Sequence, residues 1–229
     1  PISTIEINNV LENYLKIIKK DNAYTFDGKI KPKDFIGYSS VTLQHENIRP
    51  QLSEESTVIN ILNNYTVTDK ADGLRKLLFI YETRIYLIDT NMNVQYTGSL
   101  CMNKELNNTI LDGEHILHNK KNEFINYYMA FDIYFLNKKD IRNLSLLPFI
   151  EKDKPRSDSR YELLRYCINN LKLEEFNSKT QPFVVKFKTF HMSNNGQSIF
   201  SACNNILQQQ DEDLFPYETD GLIFTPAYD

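Results

Sequence analysis

Apolar residues recur at helical spacing near the start of the chain. Leu11, Tyr14, Leu15 and Ile18 follow a Ser3-Thr4-Ile5-Glu6 stretch of capping-box form, which predicts an amphipathic helix over about residues 4–20. Asp27-Gly28 and Lys31-Pro32 punctuate a loop-rich stretch, and residues 35–63 carry no clear period beyond a short helix expected around Glu54–Leu62. From Tyr65 the pattern becomes β-like. Tyr65-Thr66-Val67, Leu77-Leu78-Phe79-Ile80-Tyr81 and the alternating Arg84–Asp89 read as strands, and Val94–Gly98 pairs back across Asn91-Met92-Asn93. Thr109–Leu117 and the apolar Phe124–Phe135 flank a turn at Asn119–Asn122. Helical spacing returns over Asp158–Leu173 and about 197–210, separated by a strand at Phe183–Lys188, and Asp220–Phe224 closes the pattern as a strand. An antiparallel sheet system with packed helices follows, an α+β architecture in one domain rather than two.

Composition narrows the class. With 229 residues, 41% hydrophobic and 24% charged, the chain can bury a sizeable core. No apolar run approaches the roughly 20 residues that span a bilayer, and no signal peptide opens the chain, so no membrane partner is expected. The net charge of −4 argues against nucleic-acid binding over the whole surface and leaves room for local contacts only. Three widely spaced cysteines, Cys101, Cys167 and Cys203, form neither a disulfide framework nor a zinc pattern and suit a reducing compartment. His115 and His118 fall on opposite faces of a strand, which disfavours a metal pair. The lysines around Lys19-Lys20 and Lys29–Lys33 read as solvated charge. The start at Pro1, without an initiator Met, leads us to expect a piece of a longer protein or a processed form.

Four segments carry polar residues at the ends or in the middle of strands. Lys70-Ala71-Asp72-Gly73-Leu74-Arg75 sets an amine, an acid and a guanidinium around a tight turn, with Gly73 expected to supply an unusual backbone. Leu111-Asp112-Gly113-Glu114, Met129–Tyr134 and Asp220-Gly221-Leu222-Ile223 follow. Asp132 lies between Phe131 and Ile133, and a carboxylate in such a run is costly unless paired or ligated. Singly, each Asp-Gly is best read as a turn. In this order and with Lys70, they resemble the motifs of the covalent nucleotidyltransferases, which comprise mRNA capping guanylyltransferases and ATP-dependent polynucleotide ligases. Asp-Gly-Leu-Ile in the last segment resembles the capping enzymes, where ligases typically carry Glu-Gly. Val67–Gly73 and Lys186-Phe187-Lys188-Thr189-Phe190 look most like capping enzymes of large cytoplasmic DNA viruses, of the African swine fever virus, poxvirus and mimivirus kind. The likeness runs from about residue 65 to the last residue, with residues 1–64 as a helical lead-in to the same domain. Two departures stand out. The lysine pair and the oligonucleotide-binding-fold domain that follow in the family have no counterpart before Asp229, and Thr90 follows Ile88-Asp89 where some relatives carry an arginine.

The resemblance implies an antiparallel-sheet nucleotidyltransferase domain of the ligase adenylation (ATP-grasp-like) type. It implies that Lys70 attacks the GTP α-phosphate to give a lysyl-GMP phosphoamide, and that GMP then passes to the 5'-diphosphate end of RNA. An amine is mostly protonated at neutral pH and is then no nucleophile, so burial and nearby cations, Arg75 and Mg2+ (or Mn2+), are expected to favour its neutral form. The metal needs hard oxygen ligands, for which Glu114 and Asp220 are candidates. Glu114 alternatively holds the ribose, and Asp132 supports the metal or Lys70. Asp72, Gly73 and Arg75 are expected around the nucleotide, with Phe131 as the stacking platform for guanine. Lys188 is the preferred donor to guanine O6 and Lys186 the less favoured one, since alternation puts both on one face. Without the resemblance, Phe131 reads as core and the two lysines as a solvated strand face. Flanking triphosphatase and methyltransferase domains and a location in host cytoplasm or virion are further implications. Two other functions fit the same motifs: an ATP-dependent RNA or DNA ligase, and an inactive nucleotide-binding module of a larger capping complex.

Overall fold

The structure is a computed structural model and describes residues 1–51, 53, 56–149, 158–175, 182–193 and 197–228. Helix α1 (Thr4–Lys19) starts as predicted, with Ser3 Oγ accepting from the Glu6 backbone N–H at 3.1 Å. The Glu6 carboxylate does not close the box. It accepts instead from Arg84 and Tyr86 at 2.6 and 2.7 Å, tying the helix to the sheet beneath it. The helix expected around Glu54–Leu62 is not formed: Glu54 and Glu55 lie outside the described residues, and 56–62 are irregular. There Asn60 accepts from Leu62 N at 2.9 Å and donates to the Arg49 carbonyl at 2.6 Å. Such side-chain bonds compete with the helical ladder.

Strands β1 (Tyr65–Ala71), β2 (Leu74–Tyr81), β3 (Arg84–Asp89), β4 (Val94–Cys101), β5 (Thr109–His118) and β6 (Phe124–Leu136) are followed by the short β7 (Lys139–Asp140) and β8 (Leu173–Glu175). Strands β9 (Val184–Phe187), β10 (His191–Met192) and β11 (Thr219–Pro226) complete the set, with α2 (Arg160–Asn169) and α3 (Ile199–Asp211) between. They form two sheets. The larger runs β7-β6-β5-β2-β3-β4-β8, all antiparallel, with β9 added parallel to β6. The smaller is β10-β1-β11, also antiparallel. The α+β architecture inferred from the sequence is the one observed.

The alternation of β2 explains the layering. Leu77 and Phe79 join Val10, Leu11, Tyr14 and Leu15 of α1, whereas Leu78 and Ile80 join Leu164 and Cys167 of α2. Both faces of the large sheet are therefore covered, and so Leu77–Ile80 is a continuous apolar run. The small sheet packs Val67 against Ile199, Ala202, Cys203 and Ile206 of α3. Cys101, Cys167 and Cys203 are all free and buried.

Candidate active site

Register places the polar residues. Arg75 on β2 lies directly opposite Glu114 on β5, and Asp112, two residues before Glu114, shares its face. Asp112 is fully buried, accepts from Arg75 Nε at 3.2 Å and Nη2 at 2.7 Å, and accepts from Tyr134 Oη at 2.6 Å. The third arm of the guanidinium donates to the Tyr38 carbonyl at 2.5 Å. Its carbon sits 5.6 Å from the ring centroids of both Phe35 and Phe131, within cation–π range. Gly37 makes this cage possible. A Cβ there would lie 2.8 Å from Arg75 Nη2 and 2.9 Å from Asp112 Oδ2.

Two β-bulges aim the remaining groups. On β6, Asp132 pairs with Asp112 and Ala130 with Gly113, so Phe131 is an extra residue. Tyr128, Ala130 and Ile133 all belong to the α2-side core. That odd spacing leaves Phe131 and Asp132 adjacent on the other side of the strand. Asp132 is buried among Arg160 Nε at 2.9 Å, Arg160 Nη2 at 3.4 Å and its neighbour Ile133 N at 2.8 Å. Burial pushes its pKa up to about 6, with Arg160 pulling the other way. The cost anticipated for a carboxylate in this run is thus offset by a dedicated arginine.

On the small sheet, Asp69 pairs with Leu222 and Ala71 with Thr219, so Asp220 and Gly221 together oppose Lys70. Gly221 takes φ +144°, a conformation open to glycine. The bulge brings Asp220 Oδ2 to 2.9 Å from Lys70 Nζ in an ion pair open to solvent on both sides. Asp72 and Gly73 form the connection from β1 to β2, with Asp72 exposed and its N–H bonded to the Glu218 carbonyl at 2.9 Å. Gly73 does not adopt the unusual backbone expected of it. A Cβ there would stand 3.0 Å from the His115 carbonyl, so close approach is the reason for glycine.

The two lysines expected on one face have different environments. Lys186 is exposed, its Nζ 4.6 Å from the Tyr127 ring centroid. Lys188 is buried, donates from Nζ to the Asp69 carbonyl at 2.8 Å, and lies 5.8 Å from the centroid of Phe131. Burial lowers its pKa, opposed by Asp69, Glu114 and Asp220. Asp69 in turn accepts from Tyr217 Oη at 3.0 Å. Burial raises the Glu114 pKa, against the pull of Lys188, Arg75 and Lys70. Lys70, Arg75, Glu114, Phe131, Lys188 and Asp220 therefore meet at the seam between the two sheets, whereas Lys186 lies against Tyr127 and lines a cavity with Asp69, Lys188 and Tyr217. His115 bonds Lys76 Nζ at 3.1 Å and Asn126 Oδ1 at 2.9 Å, and burial lowers its pKa.

The family model for the mRNA capping enzyme, catalytic domain, matches residues 6–229. The chain belongs to that family. A probable mRNA-capping enzyme of Acanthamoeba polyphaga mimivirus is 27% identical over 259 residues, covering 99% of this chain and 20% of the relative. An mRNA-capping enzyme of Danio rerio is 26% identical over 202 residues, covering 84% of this chain and 30% of the relative. This chain thus spans a fifth to a third of these relatives. Among solved structures, a mycobacterial DNA ligase D complexed with ATP and MES superposes with a TM-score of 0.45 at 14% identity, covering 82% of this chain and 56% of that one.

Within this member of the capping family, several residues were not singled out in the sequence. Asp112 lies inside one of the four polar segments, and its role comes from the grip of Arg75. Phe35, Gly37 and Tyr38 lie in the stretch without periodicity, where nothing marked them. Arg160 did leave a trace. It is a cation in the first turn of a helix, the end where the macrodipole disfavours positive charge, and the structure pairs it with Asp132.

Proposed function

We propose that this domain is an mRNA guanylyltransferase that carries GMP on Lys70. The observation that supports the reading is the convergence, at one seam, of an exposed lysine held by a carboxylate with an aromatic ring, a buried lysine and a clamped arginine. Lys70 Nζ attacks the α-phosphorus of GTP, a P–N bond forms, and the bond to the bridging oxygen breaks to release pyrophosphate. Before attack the amine must give up a proton and its hydrogen bond to Asp220 Oδ2. Guanine stacks on Phe131, with Lys188 Nζ as the donor toward O6. Arg75, fixed in plane by Asp112 and Tyr38, meets the sugar or phosphate, and Asp72 and Gly73 line the turn beside Lys70. In the second step an oxygen of the RNA 5'-diphosphate attacks the same phosphorus and the lysine leaves.

Asp220 and Glu114 offer hard oxygen donors, and among the described residues no three His, Cys, Asp or Glu side chains form a metal cluster. That set fits Mg2+ or Mn2+, which shares one or two carboxylates with water and substrate phosphates. Asp220 and Glu114 would hold the ion, and its charge would stabilise the anionic transition state. Asp132, occupied by Arg160, acts on the stacking ring instead. A diphosphate acceptor calls for a triphosphatase before this step, in the same protein or in a partner, and the family resemblance adds a methyltransferase after it.

Incubation with α-labelled GTP and Mg2+ should give a protein adduct stable to denaturation, cleaved by acid and hydroxylamine, and absent from Lys70→Ala. Label from ATP alone would overturn the guanylyl reading in favour of a ligase. An adduct persisting in Lys70→Ala would overturn the assignment of the nucleophile.

A further inference from the structure

The first turn of α2 touches the neighbour of Phe131 and the backbone of Lys188, the two residues proposed above to hold the base. Arg160, itself buried, holds Asp132 by two hydrogen bonds at 2.9 and 3.4 Å, and Asp132 is the residue next to Phe131 on the β6 bulge. Its remaining nitrogen donates to the Leu144 carbonyl, and its backbone N–H donates to the Ser145 carbonyl at 2.9 Å. The helix end is thereby fixed to the loop after β7. The next residue, Tyr161, donates its hydroxyl to the Lys188 carbonyl at 3.0 Å and packs its ring edge-on to Phe187 and Phe190 on either side of that lysine. The two targets are also tied to each other, since Lys188 N donates to the Ala130 carbonyl at 2.8 Å, one residue before Phe131. A single turn of helix thus grips the bulge on one side and the chain after β9 on the other.

We infer that the first turn of α2 gauges the base slot: Arg160 and Tyr161 are positioning residues that set the distance and angle between the Phe131 ring and the Lys188 amine. The inference rests on the guanylyl reading above. A bulge is an unpaired kink in the ladder, and its extra residue needs an outside restraint to hold one orientation. Arg160 supplies it through a charge-assisted pair in a setting shielded from water. Lys188 lies one residue past β9, and among the described residues the Ala130 carbonyl and the Tyr161 hydroxyl are the partners that hold its backbone. Base preference is sensitive to this frame because a donor moved by about 1 Å no longer meets O6.

Two conservative variants test the inference, Tyr161→Phe, which removes one hydroxyl, and Arg160→Lys, which keeps the charge but loses the forked geometry. The measurements are dissociation constants for GTP and ATP, adduct formation at saturating GTP, and thermal melting of each variant. Tyr161→Phe should lower the preference for GTP over ATP by about fivefold. Arg160→Lys should weaken both nucleotides by roughly tenfold, while adduct formation at saturation stays within about twofold. The effects should vanish in the matching background: Tyr161→Phe adds less than about twofold to Lys188→Met, and Arg160→Lys less than about twofold to Phe131→Leu. Additive effects in those cycles, or lower melting with unchanged affinities and preference, would mean that the turn is scaffold only and would overturn the inference. If wild-type protein takes label from GTP and both variants keep its preference and affinity, the inference alone fails. If wild-type protein takes label from ATP alone, the guanylyl reading fails and the inference with it.

Discussion

At the scale of single residues, the site depends on how far each polar group is committed to a partner. Lys70 has one exposed partner and is free to exchange it. Arg75 has two partners in Asp112 and Tyr38 and two aromatic rings within cation–π range, so it acts as a fixed plane of donors. Gly37 is the position where this cage has no slack. A methyl group would stand 2.6 Å from Phe35 Cε1 as well as against the Arg75–Asp112 pair. Gly37→Ala should therefore cost about 1–3 kcal/mol and raise the KM for GTP while Lys70 remains in place. Urea unfolding and GTP titration of adduct formation check the two halves, and a variant with wild-type KM would free Arg75 from its assigned role. Nothing in the sequence around Gly37 marked it, because its role arises from Arg75 and Asp112, which are distant in the chain. Lys70, by contrast, was legible, since its motif is contiguous. Lys186 and Lys188 could not be separated in sequence because strand alternation treats i and i+2 alike. In the structure β9 ends at Phe187, and only Lys188 is buried beneath β1 at the Asp69 carbonyl.

At the scale of elements, regular strands were legible and their irregularities were not. Periodicity found β2, β3, β5 and β6 because each buries both faces or alternates cleanly. It missed β7, β8 and β10, which are two or three residues long and take their conformation from the neighbour they pair with. The bulges on β6 and β11 change which face a side chain occupies, and they sit where the chemistry is. The β6 bulge also carries a titration. Its Asp132 has an ordinary value of 3.8 and is pushed up to about 6 in the fold. Between these values the folded chain holds the proton more tightly than the unfolded one. The stabilisation from this group is complete below the ordinary value and is lost as pH rises through about 6. Urea midpoints should therefore decline from pH 4 to 7 by an increment that Asp132→Asn removes, and an identical slope in that variant would mean the carboxyl titrates normally.

At the scale of the whole molecule, residues 1–64 are read as part of the same folding unit as the rest. Helix α1 buries Val10, Leu11, Tyr14 and Leu15 against Leu77, Phe79, Tyr134 and Phe135 of the large sheet, and Tyr14 Oη donates to the Asp34 carbonyl at 2.5 Å. Urea unfolding followed by fluorescence and by circular dichroism should give one coincident transition. Leu15→Ala should lower its midpoint by the equivalent of about 2–4 kcal/mol, and two separated transitions would divide the chain instead.

The seam between the sheets has a consequence for how such a domain changes over generations. Lys70 and Asp220 stand on the three-stranded sheet, and Phe131, Lys188, Glu114 and Arg75 stand on or beside the larger one. On the guanylyl reading, the nucleophile is inherited with one wall and nucleobase choice with the other, which also carries Arg75 and Glu114 for phosphate and metal. A descendant can then exchange its preferred base by rebuilding β6, the end of β9 and the start of α2, while the lysine and its carboxylate pass on unaltered.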